Sequence, residues 1–580
     1  MIRSLIPENK VQDSRGWQWQ DVLMILVIFA FAMLVFHTAA KFNTAYDPKL
    51  VISTSVKVLP SYTLQTLLRM TLAYFLALIF SLIYAYTAYH SKAAASILIP
   101  LLDILQSIPV LSFLPGVVLA LIATFPNQRI GVEIAAIILI FTGMAWNMVF
   151  SFYQSLNGIP GELIEASKVY RLNAWQRFFS LELPSGVIGL VWNSVMSWAG
   201  GWFFLMAIES FSLGNKNFHL PGLGSYLSVA AQNGNFRAII FGVIDLILVI
   251  LLTDIFIWRP LIAWAEKFKF QTVEAEEVPE SGVLNFIQKS PTLRALSMQI
   301  NRLTNILDQA IAHKFQPVIT SPRKSINNNN VVSRFINWLF FSGAYAVVIW
   351  GTWEGVMMLS KVNPANWREV FWGALLTALR VFISLVLSLL WTVPVGVAIG
   401  RNQKLAKFLQ PIVQVVASVP ATALFPILLL GLIQFGGGLK IGSIALMMLG
   451  TMWYILFNVI AGAQAIPSEL LEAATVYKLS LVDRWKTLIL PGIFPYLMTG
   501  IITAVGGAWN ASIVSEYVQF HGKTLKTTGL GATISSATSR GDYSLLLAAT
   551  LVMSVLVVLT NRTIWRPLYR LAFEKYRLMS

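Results

Sequence analysis

Few residues of this chain have the types and spacing that chemistry requires. There is no cysteine, which excludes disulfides and thiol catalysis, and the five histidines lack the spacing of metal ligands. No nucleophile–base pair can be recognised either. The nearest approach to a phosphate-binding loop is Gly522-Lys523-Thr524, but Tyr517 stands where the first glycine is required. We therefore expect no enzymatic activity and no nucleotide site in this chain.

Ionisable residues inside long apolar runs are the remaining candidates. Arg69 and Arg380 lie early in two such runs, and Glu209 and Glu516 lie late in two others. Charges inside a bilayer are costly, so a charged residue there usually has a function. For these four residues we hypothesise a role in the translocation path. We expect Arg69 to pair with Glu209 and Arg380 with Glu516. The alternatives are that the arginines snorkel while the glutamates cap helix ends at water, or that an arginine contacts an anionic substrate directly.

Prolines interrupt two related apolar runs. Pro109 and Pro420, followed by Pro115 and Pro426, fall within these runs. Proline removes a helical hydrogen bond and kinks the helix, which is tolerated where the freed carbonyl faces a cavity or a neighbouring helix. A broken helix at Pro109 and Pro420 would suit a translocation path, and simple packing is the other explanation.

The elements that must position these residues are membrane helices. The chain of 580 residues is 56% hydrophobic and only 12% charged, whereas soluble domains carry about 25% charged residues. Runs of about 20 apolar residues, the length that crosses a bilayer as a helix, recur throughout. The predicted fold is all-α and polytopic, with about 12 spans at 21–37, 70–88, 97–123, 130–155, 186–211, 238–258, 336–359, 372–399, 408–434, 441–464, 494–515 and 544–564.

The basic residues follow this topology. A formal net charge of +16 would by itself suggest nucleic acid, but most cations lie between spans. Cytoplasmic loops of membrane proteins are enriched in lysine and arginine. We therefore expect both termini in the cytoplasm, a retained first helix, membrane lipid as the surroundings and no nucleic-acid partner.

An internal repeat covers most of the chain. The segment 159–184 aligns with 466–491, and the offset of 307 persists to the pair Trp258 and Trp565. Upstream the offset becomes 311, pairing Arg69 with Arg380. Because each copy holds an even number of spans, both copies have the same orientation and can pack around an axis along the membrane normal.

The repeat defines four segments. Residues 1–60 hold an N-terminal segment with the first helix, 61–264 the first repeat, 265–334 a polar cytoplasmic linker and 335–580 the second repeat with its own first helix. Within the linker, Leu293, Leu296, Ile300, Leu303 and Leu307 repeat at helical spacing and predict a short amphipathic helix. Packing on the cytoplasmic face and a regulatory role are both compatible with it.

The repeated loop between the fourth and fifth spans predicts a docking helix. Pro160 and Pro467 precede acidic first turns in both copies, as is typical of helix starts. Apolar residues then share one face, and a proline closes each segment. A helix joined to two spans can transmit the motion of a partner into the membrane.

This loop resembles the "EAA" signature of binding-protein-dependent ABC importer permeases. Glu-Ala-Ser and Glu-Ala-Ala stand at the signature position, but a cation replaces the usual glycine in each copy, suggesting an altered turn or an extra contact with the ATPase. The amino-acid sequence of the second copy is similar to the sequences of the nitrate, sulfonate and taurine branch. The resemblance assigns ATPase coupling to Glu165, Ala166, Ser167, Arg171 and Pro184, and to Glu472, Ala473, Ala474, Lys478 and Pro491.

The resemblance implies an inner-membrane permease that imports a small anion by alternating access. Its expected partners are two copies of an ABC ATPase, which would carry ATP and Mg²⁺, and an extracytoplasmic solute-binding protein at outer loops containing Gly222 and Gly529. A self-contained secondary transporter is the main alternative. A membrane enzyme and a channel or scaffold are the others.

Overall fold

The computed structural model describes residues 51–268, except 127, 214 and 215, and residues 349–575, except 435–437, 521 and 522. Isolated positions at 33, 282–284, 342 and 346 are described as well. The predicted first span, nearly all of the linker with its amphipathic helix and part of the span at 336–359 lie outside the described residues. The proposed segment boundaries therefore stay predictions.

The first repeat is a chain of helices whose long members match the predicted spans. The sequence 59–90 is apolar and free of internal glycine, so it forms one continuous helix after Pro60. The other helices end near polar or proline-containing loops. They are α1 Leu59–His90, α2 Lys92–Ser107, α3 Val110–Thr124, α4 Arg129–Asn157, α5 Gly161–Val169, α6 Ala174–Arg177, α7 Leu183–Ile208, α8 Leu223–Gln232, α9 Phe236–Thr253 and α10 Arg259–Ala265.

The second repeat has the same order of elements. Residues 349–359 are helical and precede it. The long fourth span of this copy is divided at Gly450 and Thr451. Its helices are α11 Pro364–Arg401, α12 Gln403–Ser418, α13 Ala421–Gln434, α14 Gly438–Leu449, α15 Met452–Gln464, α16 Ser468–Val476, α17 Leu481–Arg484, α18 Leu490–Ser515, α19 Leu530–Arg540, α20 Tyr543–Thr560 and α21 Arg566–Lys575.

Among the described residues, seven helices are long and apolar enough to cross a membrane. Large apolar side chains point outward along them, for example Phe75, Ile79 and Ile83 on α1 and Phe371 and Phe382 on α11. Their helical spacing makes a continuous apolar outer face, which water would not tolerate at this extent. The chain is a multi-pass membrane protein.

The predicted third spans are each broken in two. Ile108 and Pro109 have extended backbone between α2 and α3, and Val419 separates α12 from α13 in the same way. The residue before a proline disfavours helical backbone, so each helix ends there. The expected break at Pro109 and Pro420 is therefore present.

Two β-hairpins follow the fifth spans, and the sequence analysis did not predict them. Strands β1 Ser210–Leu213 and β2 Lys216–His219 pair antiparallel, as do β3 Tyr517–Phe520 and β4 Lys523–Lys526. Each strand has only four residues, which is too short for a clear alternating pattern.

Within each repeat, one helix lies between two others. Helix α4 packs on α1 and α7, and α15 packs on α11 and α18. Small residues allow the close approach: a Cβ at Gly400 would collide with the backbone of Ile460, and one at Gly396 with the side chain of Val459. The two repeats share one continuous buried core.

The repeats pack against each other reciprocally. The fifth-span helix α7 of the first repeat contacts α13 of the second, and α18 of the second contacts α3 of the first. Helix α9 of the first repeat also contacts α12 of the second, and the equivalent helices α20 of the second repeat and α2 of the first make the matching contact. This exchange is what a pseudo-two-fold axis between the repeats produces.

Candidate functional site

Helices α5 and α16 form in the two repeated loops and are named the coupling helices after the role that the resemblance implies. They present apolar side chains to solvent. Each starts after a proline, and Glu162 and Glu469 lie in the first turns, where carboxylates stabilise the helix dipole. At the other end, Val169, Tyr170, Val476 and Tyr477 are between 77% and 80% exposed. Large apolar residues this exposed beside charged ones are typical of a protein docking surface.

The turn after each coupling helix has the backbone that glycine favours. Arg171 and Lys478 are the only non-glycine residues with positive φ among those described, at 51° each. Leu172 N donates to Ser167 O and Arg171 N to Lys168 O, both at 3.0 Å. This is the Schellman pattern, with the cation at the position usually held by glycine.

The second repeat has the same turn. Leu479 N donates to Ala474 O and Lys478 N to Thr475 O, again at 3.0 Å each. The altered turn that the substitution suggested is therefore not seen: the turn is kept and the cation carries the backbone strain. Non-glycine residues held in this region cluster at functional sites.

The remaining signature residues of the coupling loops differ in exposure. Glu165 and Glu472 are exposed, whereas Ser167 and Ala474 are buried where the helices meet the bundle. Pro184 is buried at the start of α7, while Pro491, at the start of α18, is only partly buried. The loop thus has one face on the bundle and one face free for a partner.

Both ion pairs expected from the sequence are present. Arg69 Nη1 lies 2.6 Å from Glu209 Oε1, and Arg380 Nη1 lies 2.7 Å from Glu516 Oε1. Both glutamates are buried. Each pair ties the second span of a repeat to the end of its fifth span. Charge neutralisation inside the bundle is the usual condition for burying such residues.

The Gly-Leu-Gly sequences form a cradle for these carboxylates. Gly224 N donates to Glu209 Oε2 at 2.7 Å, and Thr66 Oγ1 donates to Glu209 Oε1 at 2.7 Å. A Cβ at Gly222 would collide with the same carboxylate. The glutamate therefore caps the first turn of α8, where free backbone N–H groups favour an anion.

The second repeat repeats the cradle with small changes. Thr377 Oγ1 donates to Glu516 at 2.8 Å, and Ala532 N donates to Glu516 Oε2 at 3.2 Å. A Cβ at Gly529 would collide with this carboxylate. The two glycines, predicted as parts of outer loops, thus have an internal role that the spacing alone did not indicate.

The first repeat contains a larger charge network, which the sequence analysis missed. Glu133 is buried and also contacts Arg69, and Arg129 Nη2 lies 2.8 Å from Glu133 Oε1. The repeat offset places the exposed Lys440 at the position of Glu133. Comparing the two copies at each ionisable position would have given a signal for this difference.

A cavity of about 370 Å³ lies between the repeats. Repeat-related residues contribute to it from both sides: Trp146 and Trp453, and Gly200 and Gly507. Pro420 lines it at the break of the third span. Arg69, Arg380, Glu209 and Glu516 do not line it, so the buried ion pairs and the cavity are separate features.

One side chain of the cavity crosses between the repeats. Asn510 Oδ1 accepts a hydrogen bond of 2.9 Å from Val110 N, the first N–H of α3 after the break at Pro109. Such N-terminal N–H groups lack a partner in their own helix. The first repeat has Phe203 at the position of Asn510, so the two sides of the cavity differ chemically.

In the part of the chain that the structure describes, no three histidine, aspartate or glutamate side chains are arranged to hold a metal ion. The ionisable groups inside the bundle are held by one another, as the Arg69 and Arg380 pairs illustrate.

Two repeats of membrane helices, with a cavity between them and an exposed helix on each, define the permease class of membrane transporter. A family profile described as "Binding-protein-dependent transport system inner membrane component" matches residues 77–257 and 392–564. Together the two matches span more than half of the chain, one in each repeat. The chain belongs to this family, as a duplicated permease of the ABC importer type.

Individual relatives of the chain are also transport permeases. The chain is 27% identical over 214 residues to a nitrate import permease protein of Leptolyngbya laminosa, covering 37% of this chain and 73% of the relative. It is 26% identical over 204 residues to a taurine transport system permease protein of Escherichia coli, covering 35% and 70%. A bicarbonate transport system permease protein of Synechocystis is 30% identical over 151 residues, covering 26% and 52%.

Proposed function

We propose that this chain imports a small anion by alternating access, driven by ATP hydrolysis on separate ATPase subunits. The observation that carries the proposal is the pair of exposed coupling helices, α5 and α16, in matching positions of the two repeats. The relatives transport nitrate, taurine and bicarbonate by their names. These solutes share a small size and an anionic oxygen-bearing group.

One ATPase subunit would dock on each coupling helix. The exposed Tyr170 and Tyr477 would anchor it, because aromatic residues contribute strongly to interface affinity. The cations at Arg171 and Lys478 would contact acidic residues of that subunit. ATP and Mg²⁺ would belong to the ATPase, and the coupling helices would face the cytoplasm together with both termini.

The substrate would pass through the cavity between the repeats. Its polar lining within the described residues consists of neutral groups, among them Asn147, Asn510 and the indole of Trp453. Neutral N–H donors can bind an anion without holding it so tightly that release is slow. The breaks at Pro109 and Pro420 would let the flanking helices move as separate halves.

The Arg69–Glu209 and Arg380–Glu516 pairs would hold each repeat rigid rather than contact substrate. They lie away from the cavity, with Arg380 alone partly exposed, and protein groups satisfy their hydrogen bonds. A solute-binding protein would deliver substrate at the opposite end from the coupling helices, near the two β-hairpins.

Uptake by reconstituted proteoliposomes tests this function. The chain would be combined with its ATPase and solute-binding protein, and uptake of labelled nitrate, taurine and bicarbonate measured with and without ATP. Tyr170→Glu with Tyr477→Glu should abolish ATP-dependent uptake and ATPase binding. Tyr543→Glu, an exposed tyrosine elsewhere in the chain, is the control and should leave both unchanged.

Two results would contradict the proposal. Uptake driven by an ion gradient without ATP would favour a secondary transporter. ATP-dependent uptake that persists in the double tyrosine variant would show that the coupling helices do not dock the ATPase.

A further inference from the structure

The two repeats differ where the second span ends and the fifth span begins, beside the coupling loops. In the first repeat, the carboxylate of Glu182 is fully buried between two basic side chains. His90 Nε2 lies 3.2 Å from Glu182 Oε1, and Arg177 Nε lies 2.8 Å from the same oxygen. This carboxylate supplies the negative charge that the basic groups need.

The second repeat keeps the basic groups and lacks the acid. The offsets of 311 and 307 place Arg401 at the position of His90, Arg484 at that of Arg177, and Ile489 at that of Glu182. Ile489 is 5% exposed, so an apolar side chain fills the place of the carboxylate. Both basic positions now carry arginine, which is charged at every physiological pH.

These two arginines have unused donors. Arg401 Nη1 and Arg484 Nε are shielded from solvent and make no hydrogen bond with any residue that the structure describes. Arg484 Nη2 donates to Thr475 Oγ1 at 3.3 Å, and the positive charges of Arg401 and Arg484 repel each other. Buried unpaired donors on two like charges are costly unless an anion lies between them.

The position of the two arginines indicates which anion. Arg401 is the last residue of α11, a membrane helix of 38 residues, and Arg484 stands shortly before α18. Both therefore lie at the depth where lipid headgroups begin. Basic pockets between membrane helices at this level bind anionic headgroups, and guanidinium groups bind phosphate in a bidentate manner.

The adjoining helix offers a surface for the rest of a lipid. Helix α12 starts directly after Arg401, and its Leu405, Phe408 and Ile412 are exposed. Their spacing places them on one outward face. We propose that Arg401 and Arg484 bind the phosphate of an anionic lipid, with its acyl chains along α12, and that this site exists in the second repeat alone.

Lipid retention by the purified full-length transporter tests the site. The protein would be reconstituted in phosphatidylcholine nanodiscs with a small fraction of phosphatidylglycerol, released, and examined by native mass spectrometry. We expect one tightly retained phosphatidylglycerol. Arg401→Gln, and Ile489→Glu, which restores the internal acid of the first repeat, should each lower this retention at least about tenfold. Lys404→Gln, an exposed cation on α12, is the control and should retain the lipid.

A second arm separates lipid from free phosphate. Inorganic phosphate would be titrated into lipid-depleted protein, and the unfolding temperature compared between the wild type and Arg401→Gln. Stabilisation by phosphate without lipid retention would overturn the lipid as the source. Equal retention in all variants, or an equal loss in Lys404→Gln, would overturn the site itself. Since no arm measures transport, failure of this proposal is distinct from failure of the proposed function.

Discussion

Replacing Glu516 with glutamine removes one charge of a buried ion pair while keeping the size of the side chain. Glu516 is fully buried, and its partner Arg380 is 11% exposed. Removing one partner of such a pair costs about 3–5 kcal/mol, because the other charge is left uncompensated. The amide oxygen can still accept from Thr377, so we expect a loss near about 3 kcal/mol in the free energy of unfolding.

A second substitution distinguishes the pair from simple packing. In Arg380→Met with Glu516→Gln, no uncompensated arginine remains, so the double variant should be more stable than the sum of the single variants predicts. The expected coupling energy is about 1–3 kcal/mol. Unfolding in mixed micelles, followed by tryptophan fluorescence, measures all four proteins. Glu354→Gln, an exposed acid outside the pair, is the control and should change stability by less than about 0.5 kcal/mol.

Additive effects of the two substitutions would refute this account. Exchanging the charges, as Arg380→Glu with Glu516→Arg, is a poorer test, although the sequence alone recommends it. The carboxylate of Glu516 fills a cradle too tight for a Cβ at Gly529, so a longer arginine has no room there. We expect the exchange to fail even though the ion pair exists.

Three further changes test the turn, the cradle and a partly buried histidine. Arg171→Gly should stabilise the chain by about 0.5–1 kcal/mol in the same unfolding assay, because glycine tolerates positive φ. Lys168→Gly inside α5 is the control and should destabilise the chain by about 1 kcal/mol. Equal effects of the two substitutions would show that Arg171 carries no backbone strain. Gly529→Ala should lower the free energy of unfolding by about 1–3 kcal/mol through overpacking. Gly506→Ala is the control and should be tolerated, because nothing lies within 4 Å of the added Cβ. Equal losses of stability in the two variants would contradict the cradle. Burial lowers the pKa of His219, so the unfolded chain binds more protons and stability should fall as pH drops below about 6.5. If the free energy of unfolding of His219→Gln changed with pH as steeply as that of the wild type, this assignment would be contradicted.

Local patterns in the sequence predicted much of this molecule. Apolar runs of membrane length do not depend on distant contacts, and neither does the helix break that a residue such as Pro420 imposes. The repeat offset alone also relates Arg69 to Arg380 and Glu209 to Glu516. Two arginines and two glutamates at repeated positions in apolar surroundings have few ways to be neutralised, which is why their pairing could be predicted.

The hairpins, the cradle and the Glu133 network could not be predicted in this way. A strand of four residues is too short to show a clear alternating pattern. Gly222 and Gly529 fit the sequence pattern of a loop as well as they fit close packing against a buried carboxylate. Glu133 lies 64 positions from Arg69, and only the packing of α4 on α1 brings the two side chains together. A buried charge is acceptable or prohibitive according to its neighbours, and neighbours are set by tertiary packing.

The sequence by itself determined the membrane helices, the duplication and the coupling loops, because each depends on composition or short-range order. The tertiary structure decided which repeated residues have equivalent surroundings. Arg177 pairs with the carboxylate of Glu182, whereas the matching positions of the second repeat hold Arg484 and the apolar Ile489. A duplicated chain can keep one fold with two sets of contacts, because apolar packing tolerates substitutions that electrostatics between buried groups does not.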